Sequence, residues 1–276
     1  MIRILFLNLF MFLTFNLPAQ IVQEDGSTRD ESELYASTKQ VNQFFRRFNG
    51  EENQKGKRYY ESDKEFREAS LRKNYLSLLF DRENQNISTE QKKDFINDVT
   101  DKRNPKFLDF HEEGWFAEVN VVFMRNGKEE NILLFFKIQE EREGYEWVLE
   151  QVSSAHYQEF FDKDKSDEKP FLHPMSHELD FMNLHKSLNQ ENAVDFTSDE
   201  FEEDPLSIFL YEMASNQIEF KTVTGSKFHF FQCEGWYFQI AEYNRKGYNS
   251  GWLISDLTPI EKQDVPKLKS FIYEAK

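Results

Sequence analysis

The chain has a single cysteine, Cys233, among 276 residues. One thiol forms no internal disulfide, so the fold must rest on its apolar core alone. Glycine and proline are sparse, at 10 and 7, which excludes collagen-like repeats and extended Pro- or Gly-rich linkers. Positive charge is also short: 34 Lys and Arg stand against 50 Asp and Glu, for a formal net charge of −16. Nucleic acid is therefore not an expected partner, because phosphate backbones need clustered cations, and an anionic membrane surface is disfavoured for the same reason. No glycine-rich phosphate loop occurs, and Gly247-Tyr248-Asn249-Ser250-Gly251 is not a nucleophile elbow. No cofactor is expected.

The one long apolar run is N-terminal. Met1-Ile2-Arg3 is a short basic start, Ile4 to Leu17 is almost wholly apolar, and Leu17-Pro18-Ala19-Gln20 resembles a cleavage region. That layout predicts a secretory signal peptide over residues 1–19 and an exported, periplasmic or extracellular protein. The run is short for a bilayer-crossing helix of about 20 residues, so no stable membrane span is expected after cleavage. A retained signal anchor is the alternative. Residues 20–29 are polar and read as a flexible lead-in.

What the chain does have is aromatic bulk: 29 Phe, 11 Tyr and 4 Trp. Each such side chain buries on the order of 150–250 Å² in a core. The clearest pattern is a strand pair from Glu113 to Val152. Trp115, Ala117, Val119, Val121 and Phe123 alternate with Glu118 and Asn120; Asn126-Gly127 is a hairpin signal; Ile132, Leu134, Phe136 and Ile138 follow in alternation. Gly144-Tyr145-Glu146-Trp147 then opens a further strand. The signals return as Glu234-Gly235-Trp236-Tyr237 and Gly251-Trp252-Leu253-Ile254, so all four tryptophans sit in two similar stretches.

Helical periodicity precedes each stretch. Leu34, Val41, Phe44, Phe45 and Phe48 predict a helix from about Glu31, ending near Asn49-Gly50. Further helices are expected at 63–80 and 89–99. In the second half, helices are expected from Ser176 and, with Asp204 as cap and Pro205 at the first position, before Ile208, Phe209 and Met213. Strands at 218–223 and 227–232 are expected to turn at Thr224-Gly225, and Val265 to Tyr273 to close the chain as a helix. Fold class is α+β: two tandem units, residues 30–158 and 172–276, each of two or three helices packed on a curved antiparallel sheet. The charged segment 159–171 reads as their linker.

Helices followed by a curled antiparallel sheet, with Asn42-Gln43-Phe44-Phe45-Arg46-Arg47-Phe48 and Glu113-Gly114-Trp115-Phe116-Ala117-Glu118-Val119, resemble the nuclear-transport-factor-2-like cone fold. The pattern is also similar to tandem exported proteins of unassigned function from Bacteroidetes. That superfamily includes ketosteroid isomerase and scytalone dehydratase beside non-catalytic domains, so the resemblance implies a fold rather than an activity. No catalytic pattern of its enzymes maps onto a position here. A cystatin-like helix-on-sheet arrangement is the nearest competitor.

The chemistry is thin. Asp162, Asp164 and Ser166 begin like a calcium loop, but Asp167 stands where the turn glycine belongs. His173, His177, Glu178 and His185 lack the spacing of a zinc helix, so no metal is expected. Cys233, in an apolar strand, reads as a buried, inert thiol. A cone pocket doing acid–base work needs a carboxylate or imidazole in apolar surroundings. His111, Glu118, Tyr145, Tyr237 and Asp256 are the binding-pocket candidates, and none is assigned as catalytic. The expected function is a non-catalytic protein of the cell envelope that binds a protein partner or small-molecule ligand. The alternative is a small-molecule isomerase, dehydratase or hydrolase with a carboxylate or His in one cone.

Overall fold

The computed structural model describes residues 38–161, 197–198, 200 and 204–274. Three helices come first: α1 (Val41–Asn49), α2 (Ala69–Leu78) and α3 (Thr89–Val99). The meander β1 (Trp115–Arg125), β2 (Lys128–Glu141) and β3 (Gly144–Ser153) follows, then α4 (Ala155–Phe161) and α5 (Pro205–Ala214). A second meander, β4 (Ile218–Phe230), β5 (Trp236–Tyr243) and β6 (Gly251–Pro259), leads to α6 (Val265–Tyr273). The signal segment, the linker from Asp162 onward, the helix expected from Ser176 and the His173–His185 group lie outside the described residues.

Local chemistry sets these boundaries. Helix α1 stops because Gly50 takes a left-handed φ of 75° and its N–H reaches back into the last turn. Helix α3 starts in a capping box, Ser88 accepting from the Gln91 N–H while the Gln91 side chain accepts from Ser88 N–H. Asp204 caps α5, with Pro205 at its first turn. Asn126 and Gly127 both hold positive φ, 50° and 76°, which closes the β1–β2 hairpin as expected. Helix α2 is shorter than the periodicity suggested, beginning only at Ala69. Arg67 holds a positive φ of 53°, which a continuing helix does not allow.

Two expectations about the sheet are corrected. There is no hairpin turn at Thr224-Gly225: β4 runs straight through it. The register against β1 steps from Asn120 opposite Gly225 to Val121 opposite Val223, so Thr224 is the extra residue of a bulge. A continuous partner strand along all of β1 satisfies backbone groups that a turn would have left open. Nor are there two separate sheets. The six strands form one antiparallel sheet in the order β3-β2-β1-β4-β5-β6, joined through the β1–β4 pair. Trp147 and Trp252 both lie on third strands, but Trp115 opens the first strand of its meander and Trp236 the second.

Side-chain alternation divides the core by face. On the face of Trp115, Val121 and Phe123, two helical layers lie side by side. Helices α1–α3 cover one end, with Phe44, Phe48, Phe95, Phe230 and Phe238 at the centre. Tyr157 of α4 and Phe209 of α5 cover the other, over Val121, Ile132 and Val152. On the opposite face α6 lays Leu268, Ile272 and Tyr273 over Phe116, Phe135 and Tyr237. Tyr273 anchors the helix, its hydroxyl donating to Glu150 at 2.8 Å.

Candidate functional site

On the α6 face, three neighbouring strands bring an acid, an imidazole and a phenol into line. Phe116 pairs with His229 across β1 and β4, and Glu118 with Lys227. His229 is 2% exposed. Its Nε2 lies 2.9 Å from Glu118 Oε2 and its Nδ1 2.9 Å from Tyr237 Oη. A neutral imidazole protonated at Nε2 satisfies both contacts, donating to the carboxylate and accepting from the phenol. The ring stacks on Phe116 at 4.8 Å between centroids, and Tyr273 of α6 lies 5.1 Å from Phe116 on the same side.

The charges in this chain are shifted for identifiable reasons. Burial alone would raise the Glu118 carboxyl. The hydrogen bond from His229, with the Lys227 ammonium at 3.4 Å, outweighs it and holds the group below its ordinary value. Burial pushes the Tyr237 hydroxyl up, and the charges of Asp256 and Glu118 add to it. Such a relay is chemically able to pass a proton. The clefts beside Arg82, Val265, Asn126 and His156 are lined by residues other than Glu118, His229 and Tyr237. Packed this way, the chain acts as a satisfied polar core beneath α6.

The five sequence candidates thus separate. Glu118 and Tyr237 meet through His229. Asp256 is exposed on β6, accepts from the Leu257 N–H at 2.8 Å, and touches the group only through its charge. His111 and Tyr145 belong to the opposite face, where their rings approach to 4.3 Å. There Tyr145 and Trp147 are 47% and 42% exposed, with Trp147 leaning on Trp115 at 5.2 Å. The other three tryptophans are packed into the first core.

The outer edge of β3 differs from that of β6. On β6, Thr38 bridges Gly251 and Phe80 bridges Ile254; Thr38 O accepts from Trp252 N–H at 2.8 Å and Leu79 O from Ile254 N–H at 2.7 Å. Those contacts blunt one end of the sheet. Among the described residues, no segment pairs with the outer side of β3. Exposed Glu140, Glu141, Glu143 and Glu146 surround Tyr145 there.

Two groups were missed in the sequence. His229 sits in Lys227-Phe228-His229-Phe230, and the alternation that sends Phe228 and Phe230 to one core sends His229 to the other face, beside Tyr237. The second is the Arg46, Arg47 and Glu52 cluster, with Glu52 2% exposed. Nothing in a helix-end run of charges marks it as buried. Cys233 is wholly buried, which pushes its thiol up to about 12. Among the described residues no group of three His, Cys, Asp or Glu side chains is placed to hold a metal ion, and no helix is long and apolar enough to cross a membrane. Compared with protein families, curated proteins and solved structures, the chain has no match.

Proposed function

We propose that this is an exported, non-catalytic binding protein of the cell envelope, and that it takes an extended, basic segment of a partner protein along the outer edge of β3. One observation carries the reading: Tyr145 and Trp147 stand exposed on an edge strand to which no described segment pairs. A strand added there gains main-chain hydrogen bonds, while the two rings take alternate side chains. The surrounding Glu140, Glu141, Glu143 and Glu146 favour Lys and Arg on the incoming segment. Export rests on the N-terminal pattern of residues 1–19.

The fold admits a finer reading consistent with tandem units. Each half has a helix leading into a three-stranded meander, and the halves meet through their first strands, β1 and β4, in the order β3-β2-β1-β4-β5-β6. Two like units fused along their first strands generate that order. On this reading, cone-like halves share one sheet rather than keeping two.

The test is photo-crosslinking in the native host, with a photoreactive phenylalanine replacing Tyr145 or Trp147 and, as control, Thr258 on β6. Expected is an adduct specific to positions 145 and 147, crosslinked within a Lys- or Arg-rich stretch of one envelope protein. A synthetic peptide of that stretch should then bind the purified chain, more weakly in high salt and weakly to a Trp147→Ala variant. Equal labelling at all three positions, or peptide binding indifferent to Trp147→Ala, defeats the reading. The enzymatic alternative draws on Glu118–His229–Tyr237 and needs α6 to lift; deleting residues 262–276 would then uncover an activity that His229→Gln abolishes.

A further inference from the structure

The opposite end of the molecule carries a cleft of about 240 Å³ between α1, α2 and β6. Leu78, Leu79 and Leu253 supply its apolar lining, Tyr75 and Tyr248 aromatic walls, and Arg47, Glu52 and Arg82 its charge. Arg47 is held rigidly, 4% exposed, with Nε 3.3 Å from Glu52 Oε1 and Nη1 donating to Thr38 Oγ1 at 3.1 Å. Glu52 is fully engaged: Oε1 also accepts from Gln43 at 2.5 Å, and Oε2 from Arg46 at 2.8 Å. One carboxylate thus faces two guanidiniums inside this cluster, before Arg82 is considered. Arg82 makes no ion pair among the described residues; its backbone N–H is tied to Asn249 Oδ1 at 2.9 Å. In a chain of net charge −16, the lining of this cleft carries two guanidiniums, Arg47 and Arg82, against one carboxylate, Glu52.

A partly enclosed space with an apolar floor and a fixed positive group suits an amphipathic anion. The volume lies just below the roughly 300 Å³ at which pockets for drug-sized ligands begin, which limits the ligand to a small one. We propose that the cleft binds a small carboxylate with an apolar tail of a few carbons. The carboxylate would lie between Arg47 and Arg82, and the tail along Leu78, Leu79 and Leu253. Neither group is part of the β3 edge, so the site is independent of the partner-binding surface.

Isothermal titration of the full chain with octanoate, and with octanamide as its uncharged counterpart, tests this. A ligand of this size is expected to bind with a Kd of about 1 mM. Octanoate should bind at least about tenfold more tightly than octanamide, since a charge-assisted hydrogen bond to arginine is lost in the amide. Arg82→Glu, on an exposed residue that leaves the core intact, should weaken octanoate about tenfold or more and leave octanamide unchanged. Leu78→Trp should fill the cleft and remove both. Circular dichroism of each variant confirms that it is folded. The proposal is overturned if octanoate shows no saturable binding, if octanamide binds equally well, or if binding survives both substitutions.

Discussion

Arg72 is the most informative single residue to perturb, because two physical effects of opposite sign meet in it. Its side chain is 1% exposed and has no carboxylate partner among the described residues. Burial depresses the guanidinium to about 10, so holding the charge there is costly. Against this, Nε donates to Phe48 O at 2.8 Å, Nη1 to Val99 O at 2.8 Å and Nη2 to Lys106 O, while the guanidinium lies 4.4 Å from the Phe107 ring centre. These bonds tie the C-terminal ends of α1 and α3, and the chain beyond α3, to the middle of α2. In Arg72→Met the volume is largely kept but the carbonyls lose their donor. Val99 O retains the Lys106 N–H at 3.0 Å, so two acceptors carry most of the loss, at about 1–3 kcal/mol each. Relief of the buried charge returns part of that. The net expectation is a destabilisation of about 2–4 kcal/mol, with Arg72→Lys nearly as bad because one ammonium cannot reach three divergent carbonyls. Urea unfolding followed by tryptophan fluorescence measures it, through midpoints at equal m. Trp236, 5.3 Å from Phe95 in this core, reports on the affected layer. A Met variant as stable as the parent, or more so, would refute the reasoning and show that the charge penalty dominates.

Two further outcomes follow from the same structure. Gly251 has φ +81°, and a Cβ built on it would lie 2.2 Å from Thr38 O. Gly251→Ala is therefore expected to break the Thr38 bridge and cost about 2–4 kcal/mol. Amide exchange at Trp252, whose N–H donates to Thr38 O, should accelerate, and unchanged protection there would count against the account. Glu118 is held below its ordinary 4.5, so folding favours its carboxylate. The stability it supplies is complete above about pH 4.5 and is lost as pH falls through the folded value. Glu118→Gln should cost about 1.5–3 kcal/mol at neutral pH, and the gap to the parent should narrow as pH falls below the ordinary value and through the folded one; a gap that stays constant down to acid unfolding contradicts the assignment.

Much of the fold was legible because it is written locally. The Asp204 cap before Pro205, the glycine stop at Gly50 and the Asn126-Gly127 turn each depend on a few adjacent residues, and each appears where those residues stand. The Thr224-Gly225 bulge was not legible, because the same dipeptide serves a turn or a bulge. What decides is whether a partner strand continues past it. That partner is β1, about a hundred residues earlier, and pairing across such separation leaves no local trace. The same blindness explains the single sheet. Two meanders with similar alternation read as two sheets until the β1–β4 contact is known.

The candidate site shows the limit more sharply. Alternation set Glu118 on the face opposite Trp115, yet it could not tell which of several polar residues on that face would touch. His229 decides, since its Nε2–H donates to Glu118 and its Nδ1 accepts from Tyr237, which leaves no third position. A residue with both nitrogens occupied and a helix over it stabilises a fold; the same residue with one nitrogen facing a cavity would be a catalyst. Composition and spacing are identical in the two cases. What separates them is whether α6, and within it Ile272 and Tyr273, closes the space above Phe116. Helix α6 thus decides whether this face is closed, and the two proposed binding surfaces lie elsewhere: at Tyr145 and Trp147 on β3, and at Arg82 beside β6.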